Sequence, residues 1–347
     1  MSNPFTDDEY LDYIYSVSVD NSYVSEYIRA YNENFDLEKE FAVLVAAGVY
    51  QPDEIEKFKA ISLETYSLDK AFRGEFINTL KQMALMVVED DREYLTSIPV
   101  GLLPSRELNA CAIRTPSNGA VIILNQGVIG QLIYVCRFTL SFISWQSNTP
   151  FCRDASQGDY AKALIGLAKY VMTGDSKYIV RFKDVLQFPS LSDYEETTIL
   201  FCQLMELFIL LHEYGHVVKG HLNSASIRTA FDGELPELQE YSKSEQQEFE
   251  ADQYAINQLI QKGVEGGLRQ SDIALCAGLV MKFFELCEAV SPSDHTSGTR
   301  THPPARDRWE KIKTHTSLES ANGALALNLD PAFKVILDGM QHDEWAN

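Results

Sequence analysis

Five residues, His212-Glu213-Tyr214-Gly215-His216, bring two imidazoles and a carboxylate together at a spacing suited to metal chemistry. Positions i and i+4 of a helix lie on one face. His212 and His216 can therefore offer two ring nitrogens to one Zn²⁺. Glu213 stands one step around the helix, where a carboxylate can take a proton from a zinc-bound water. The motif closes the apolar run Ile199–Leu211, so the helix that carries it is expected to be buried. Polar groups at such depth are costly unless paired or metal-bound. The plain alternative is a helix end whose two histidines are satisfied by hydrogen bonds.

Catalytic zinc takes three protein ligands and keeps one position open. In one class the third ligand follows in the pattern His-Glu-x-x-His-x-x-Gly-x-x-His. Here those Gly and His positions hold Lys219 and Leu222. His221 misses by one residue, a rotation of about 100° on a helix. A carboxylate from a second helix is the other route, and the segment Ser244–Ala255 fits it. Glu248 lies 32 residues beyond His216, enough for a turn and an antiparallel return. Glu248 and Asp252 share a face at i, i+4. Glu248 would coordinate the metal, while Asp252 would accept the free ring N–H of a ligand histidine. Glu245 is the rival ligand, and Glu250 falls on another face, where it is expected to be solvated. An acidic surface helix is the bland alternative in a chain of net charge −21.

The stretch Glu248-Phe249-Glu250-Ala251-Asp252 resembles the Glu-x-x-x-Asp segment of the gluzincin metallopeptidases, most closely the soluble relatives of the CAAX prenyl protease 1 and heat-shock protease X group. Three further patches occur in the order of that group. They are Asn109-Ala110-Cys111-Ala112 with Gly119–Gly127, the decapeptide His212–His221, and Thr301–Arg308, with an arginine six residues after His302. A second resemblance is to phage-exclusion metallopeptidases. Two features depart from the pattern. About 60 residues, 138–197, separate the upstream strand from the zinc helix, and Glu206 stands six rather than seven positions before His212. The resemblance implies a gluzincin-like helical core with a small edge sheet. His212, His216 and Glu248 would be the metal ligands, and Glu213 the base.

Bulk properties narrow the class. The chain has 347 residues, with 29 basic against 50 acidic side chains. That balance argues against nonspecific nucleic-acid or anionic-membrane binding, which needs clustered Lys and Arg. The start, Met1–Glu9, has no basic region followed by an apolar one, so no secretory signal is visible. The longest apolar stretches are interrupted by Gln and charged residues, and no membrane span is expected. Cys111, Cys136, Cys152, Cys202, Cys276 and Cys287 lack Cys-x-x-Cys spacing. They are expected as reduced residues of a cytoplasmic protein.

The elements that must position the motif are mainly helical. Residues 1–100 are expected as a helical N-terminal region, with helices over Asp7–Arg29, Leu37–Gly48, from Pro52, and over Leu68–Val88. Pro99, Gly101 and Pro104 mark a boundary. Residues 101–347 form the peptidase domain, with an insertion at about 138–197 that could act as a lid. A strand pair is expected at 110–114 and 120–124, joined by Pro116–Gly119. Helices are expected at 127–145, 158–173, 195–222, 244–262, 271–290 and 303–314, and a loop at 291–301. Zinc peptidases of the resembled kind hold an extended peptide against a sheet edge, and strand 120–124 is expected as that open edge, with an ordinary buried strand as the alternative.

The expected fold class is mainly α (α+β), and the expected activity is zinc-dependent endopeptidase. The substrate would be a specific intracellular protein or peptide, in stress response or phage defence. His302, Arg308, His221 and Tyr254 are candidate donors to the developing oxyanion. His302 and Arg308 could equally pin the His-Pro loop to the core. The competing class is a catalytically silent binding or scaffold protein. Glu213 argues against it, because a structural metal site has no use for a base. Oligomeric state is open.

Overall fold

The computed structural model describes residues 6–9, 11, 67–103, 110–115, 117–146, 156–173, 175, 177–180, 192–223, 226–229, 239–242, 244–290, 303–316 and 324–341. The expected helices over Leu37–Gly48 and from Pro52, most of Asp7–Arg29, and the loop 291–301 lie outside them.

Helix α1 (Ser67–Val87) turns one apolar stripe inward. Ile77, Leu80, Ala84 and Val88 are buried at three- and four-residue spacing, the pattern of a helix packed along one side. A short helix, α2 (Arg92–Thr96), follows. The Arg92 Nε–H donates to the Leu85 carbonyl at 2.7 Å, closing the end of α1.

Three strands come next, β1 (Val100–Leu103), β2 (Ala110–Arg114) and β3 (Ala120–Asn125). β1 was not foreseen; it lies where prolines suggested a break. The β2–β3 hairpin matches the expectation. The Thr115 N–H donates to the Gly119 carbonyl at 3.1 Å, and Asn118 takes a left-handed φ of 67°, which asparagine tolerates better than most residues. The sheet order is β1-β3-β2, with β1 parallel and β2 antiparallel to β3. The strand at 120–124 is thus the central one, which corrects the expectation of an open edge. All six residues of β3 are buried. A continuous apolar run is what a strand covered on both faces needs.

The rest is helical: α3 (Gln126–Gln146), α4 (Gln157–Thr173), α5 (Lys177–Val180) and α6 (Ser192–Val218). After a hairpin of β4 (Ser226–Thr229) and β5 (Gln239–Ser242) come α7 (Glu245–Glu265), α8 (Gln270–Val290), α9 (Ala305–His315) and α10 (Ala324–Gln341). The fold is mainly helical with a small three-stranded mixed sheet.

Helix α8 is buried on nearly every side, from Ser271 to Cys287, and α4, α6, α7, α9 and α10 pack around it. Such a helix is apolar over most of its circumference, and its buried Lys282 is paired with Glu285 at 2.7 Å and Asp330 at 2.9 Å. One helix of the 138–197 stretch, expected as an insertion that could act as a lid, belongs to the core. Helix α4 buries Tyr160, Leu164, Ile165, Leu167 and Val171 in the main core, so residues 157–173 are framework.

Helix α6 carries the only window of its kind among the described residues, Thr197–Val218, long and apolar enough to cross a membrane. Of that window 83% is buried inside the fold, as for the core helix of a globular domain.

Candidate active site

The apolar side of α6 (Phe201, Met205, Phe208, Leu211) enters the core, and its last turns carry His212, Glu213 and His216, all buried. The helix stops at Val218, four residues short of the expected end. Gly220, at φ 69°, turns the chain, and its N–H donates to the Val217 carbonyl at 3.0 Å. Glycine takes this conformation without the Cβ clash of other residues. His221 consequently leaves the helix line and folds back beside His216.

Helix α7 faces α6. Its register is set by Ser244, whose hydroxyl accepts the Gln247 N–H, while the Gln247 side chain accepts the Ser244 N–H. This reciprocal cap starts the helix at Glu245. It leaves Glu248 in the first turn, where the helix dipole favours a carboxylate. Gly215 lets the two helices close. A Cβ there would lie 3.0 Å from the Ala251 Cα and 3.1 Å from its carbonyl oxygen.

The result is a convergent group. Ligand atoms of His212, His216 and Glu248, all buried, lie within 4.8 Å of one another. The two Nε2 atoms are 3.1 Å apart, and each is 3.4 Å from a Glu248 oxygen. Tetrahedral zinc with bonds of about 2.0–2.1 Å sets its ligand atoms roughly 3.3–3.4 Å apart. Two nitrogens and a carboxylate at these separations fit such an ion. Glu245 is exposed and takes no part.

Each histidine is held from behind through Nδ1. For His212 the partner is Asp252 Oδ1 at 2.9 Å. Asp252 is gripped in turn by Arg308, through Nε at 2.8 Å and Nη2 at 2.6 Å. Burial would raise the Asp252 carboxyl, but the Arg308 charge and hydrogen bonds outweigh it and hold the group at about 2. Burial works against a charged His212, yet hydrogen bonds to Asp252 and Glu248 raise its pKa to about 9. For His216 the partner is His221, Nδ1 to Nδ1 at 2.9 Å, and the His221 Nε2 meets Glu250 Oε2 at 3.0 Å. Glu250, expected in solvent, is thus tied to the site, with 40% of its side chain exposed.

Glu213 is held from the sheet. The Ala112 N–H of β2 donates to its Oε2 at 2.7 Å, and its Oε1 lies 3.9 Å from the His212 Nε2. Among the candidate oxyanion donors, Arg308 engages Asp252 and His221 backs His216. Tyr254 donates to Asp91 at 3.0 Å, tying α7 to the turn after α1. His302 lies outside the described residues. Arg308 is aimed by α9, whose Trp309 is buried and donates to Asp330 at 2.9 Å.

Residues 147–328 match the peptidase U49 family, just over half of the chain. The chain belongs to the peptidase U49 family. The matched stretch holds His212, Glu213, His216, Glu248, Asp252 and Arg308, together with most of the segment expected as an insertion. U49 membership makes the chain a member of a peptidase family, whose substrates are proteins. No curated protein and no solved structure matches it.

Three participants were not foreseen from spacing: the Ala112 amide, Gly215, and Glu250 acting through His221. Only Gly215 carried a signal, as a glycine in a helix interior, where it costs about 1 kcal/mol relative to alanine unless close packing requires it.

Proposed function

We propose that the chain is a zinc-dependent endopeptidase of the gluzincin type. The observation that carries this reading is the convergence of two imidazole Nε2 atoms and a buried carboxylate beside a second, amide-held carboxylate. His212, His216 and Glu248 would hold the ion, with Asp252 fixing the His212 ring. Bound zinc supplies Lewis acidity toward water and toward a substrate carbonyl. Glu213 takes the proton of the attacking water and returns it to the leaving amine. The Ala112 N–H holds one oxygen of that carboxylate and keeps it on the metal side of the helix. Arg308 acts as a positioning residue, through Asp252.

The likeness of Glu248–Asp252 and of His212–His221 to the CAAX prenyl protease 1 and heat-shock protease X relatives supports the gluzincin assignment. An extended polypeptide would add to β2, the edge strand whose amide reaches Glu213, through main-chain hydrogen bonds. We place residues 101–347 in the peptidase domain. A cytoplasmic setting is supported by the buried free thiols of Cys136, Cys202, Cys276 and Cys287.

The test combines metal analysis with a single variant. The purified chain should carry about one zinc, and Glu213→Gln should keep it while losing about 10²–10⁴-fold in turnover. Turnover is read as new protein termini in cells expressing the wild type and absent with Glu213→Gln. Identical termini in both would leave a silent scaffold, and a chain that takes up no metal would end the zinc assignment.

A further inference from the structure

The backing of His216 is unusual in form: a second imidazole, then a half-exposed carboxylate. We infer that His221 and Glu250 are a positioning pair that sets the tautomer and ring angle of His216. This rests on the metal assignment proposed above.

The proton positions follow from the donor inventory. If the His216 Nε2 gives its lone pair to a metal, the single N–H of the neutral ring must sit on Nδ1. That Nδ1 is 2.9 Å from the His221 Nδ1, which must then accept. The His221 proton is left on Nε2, facing Glu250 Oε2 at 3.0 Å. The other oxygen of Glu250 accepts from the Gln246 Nε2 at 2.9 Å. One tautomer assignment closes the whole chain of bonds, and it points the His216 Nε2 lone pair at Glu248 and His212. With the His221 proton moved to Nδ1, two N–H groups would confront each other and the Glu250 Oε2 would lose the His221 N–H.

The backbone is arranged to deliver this contact. The left-handed turn at Gly220 returns His221 to within reach of a ring five positions earlier, and His221 is buried there. Glu250 sits between Glu248 and Asp252 in sequence, so one helix supplies the ligand and both anionic supports. Carboxylate partners of ligand histidines typically change metal affinity about 10–100-fold when removed.

Zinc affinity is read by competition with a chromophoric chelator, on the full chain and with zinc alone as the probe. His221→Ala should weaken zinc binding by about 10–100-fold. His221→Asn places an amide oxygen near the lost Nδ1 and should recover part of the loss. Glu250→Ala removes a half-exposed side chain, so it keeps the fold even where His221→Ala does not. It should still weaken zinc binding while the melting temperature of the metal-free protein stays put. Long-range ¹H–¹⁵N spectra of the zinc-loaded wild type should show His216 protonated on Nδ1 and His221 on Nε2. Wild-type zinc affinity in Glu250→Ala, or a His221 proton on Nδ1, would overturn the pair alone. A wild-type chain that takes up no zinc would overturn the metal assignment, and the pair with it.

Discussion

Two carboxylates buried along the same helix are pushed in opposite directions. Asp252, beside the His212 end of α6, meets a guanidinium and a histidine, and its carboxyl is held at about 2. Glu206, in the middle of α6, meets the thiol of Cys202 at 3.5 Å, and burial pushes it up to about 7. Both are less than a tenth exposed. Depth alone disfavours the anion in each case, and the neighbour decides the outcome. Near the ligands the fold supplies a cation, and one and a half turns earlier it supplies a weak donor. The His212–His216 end is therefore built to keep negative charge at depth, and the middle of the helix favours its neutralisation.

The sharpest way to break this contrast is to remove the guanidinium. Arg308→Met should cost about 3–5 kcal/mol in chemical denaturation at neutral pH, because it strands Asp252 without its cation. A cost below about 1 kcal/mol would mean that Asp252 had another source of compensation.

Next comes Glu206→Gln, whose effect should follow pH. A folded pKa above the unfolded value means that the native state binds the extra proton. Stability from this group is complete below about 4.5, falls as pH rises through 7, and is level above. The difference amounts to roughly 3 kcal/mol. The glutamine variant should be close to wild type at pH 4.5 and more stable by up to that amount at pH 8. A constant difference across this window would show that Glu206 titrates normally and that the two carboxylates are not opposites.

Asp252→Asn should lower zinc affinity about 10–100-fold, since the amide still reaches the His212 ring but no longer polarises it. An unchanged affinity would reduce Asp252 to a packing role.

The smallest expected effect is that of Gly215→Ala. Alanine gains about 1 kcal/mol in helix propensity, but its methyl presses on the backbone of Ala251 at 3.0 Å. Overpacking of that kind costs about 1–3 kcal/mol. The net loss in stability should be about 1 kcal/mol, with weaker zinc binding as α7 is pushed away. The pH signature of Glu206, on another turn of α6, should persist.

What could be foreseen from residue order was whatever helix arithmetic governs. The i, i+4 pairs His212/His216 and Glu248/Asp252 met across α6 and α7 because each pair rides on one rigid helix, and the Ser244 cap fixed the start of α7. Helix α4 was anticipated within a residue. The strands were harder. β1 has four residues between prolines and is a strand only because β3 is there to pair with it. β3 itself is a continuous apolar run, and such a run signals a covered central strand rather than an edge. Helix α10 was missed because Pro331 lies inside it, lacking an N–H to give to the helix. The bonds Ala112 to Glu213 and Arg308 to Asp252 cross 101 and 56 positions, distances over which no spacing rule operates. The likeness of Thr301–Arg308 to a known segment singled out Arg308, but the carboxylate it grips became visible only in three dimensions.

The order of those bonds along the chain has a consequence for biosynthesis. Arg308 is the last of the linked residues to leave the ribosome, and until it arrives Asp252 lacks its cation. At about 5–20 residues per second, several seconds pass between the appearance of the His212–His216 stretch and that of Arg308. A nascent chain thus carries the paired histidines before it holds the residue that secures Asp252 behind them. The order of synthesis is therefore also an order of assembly, in which the charge that secures the buried carboxylate comes last.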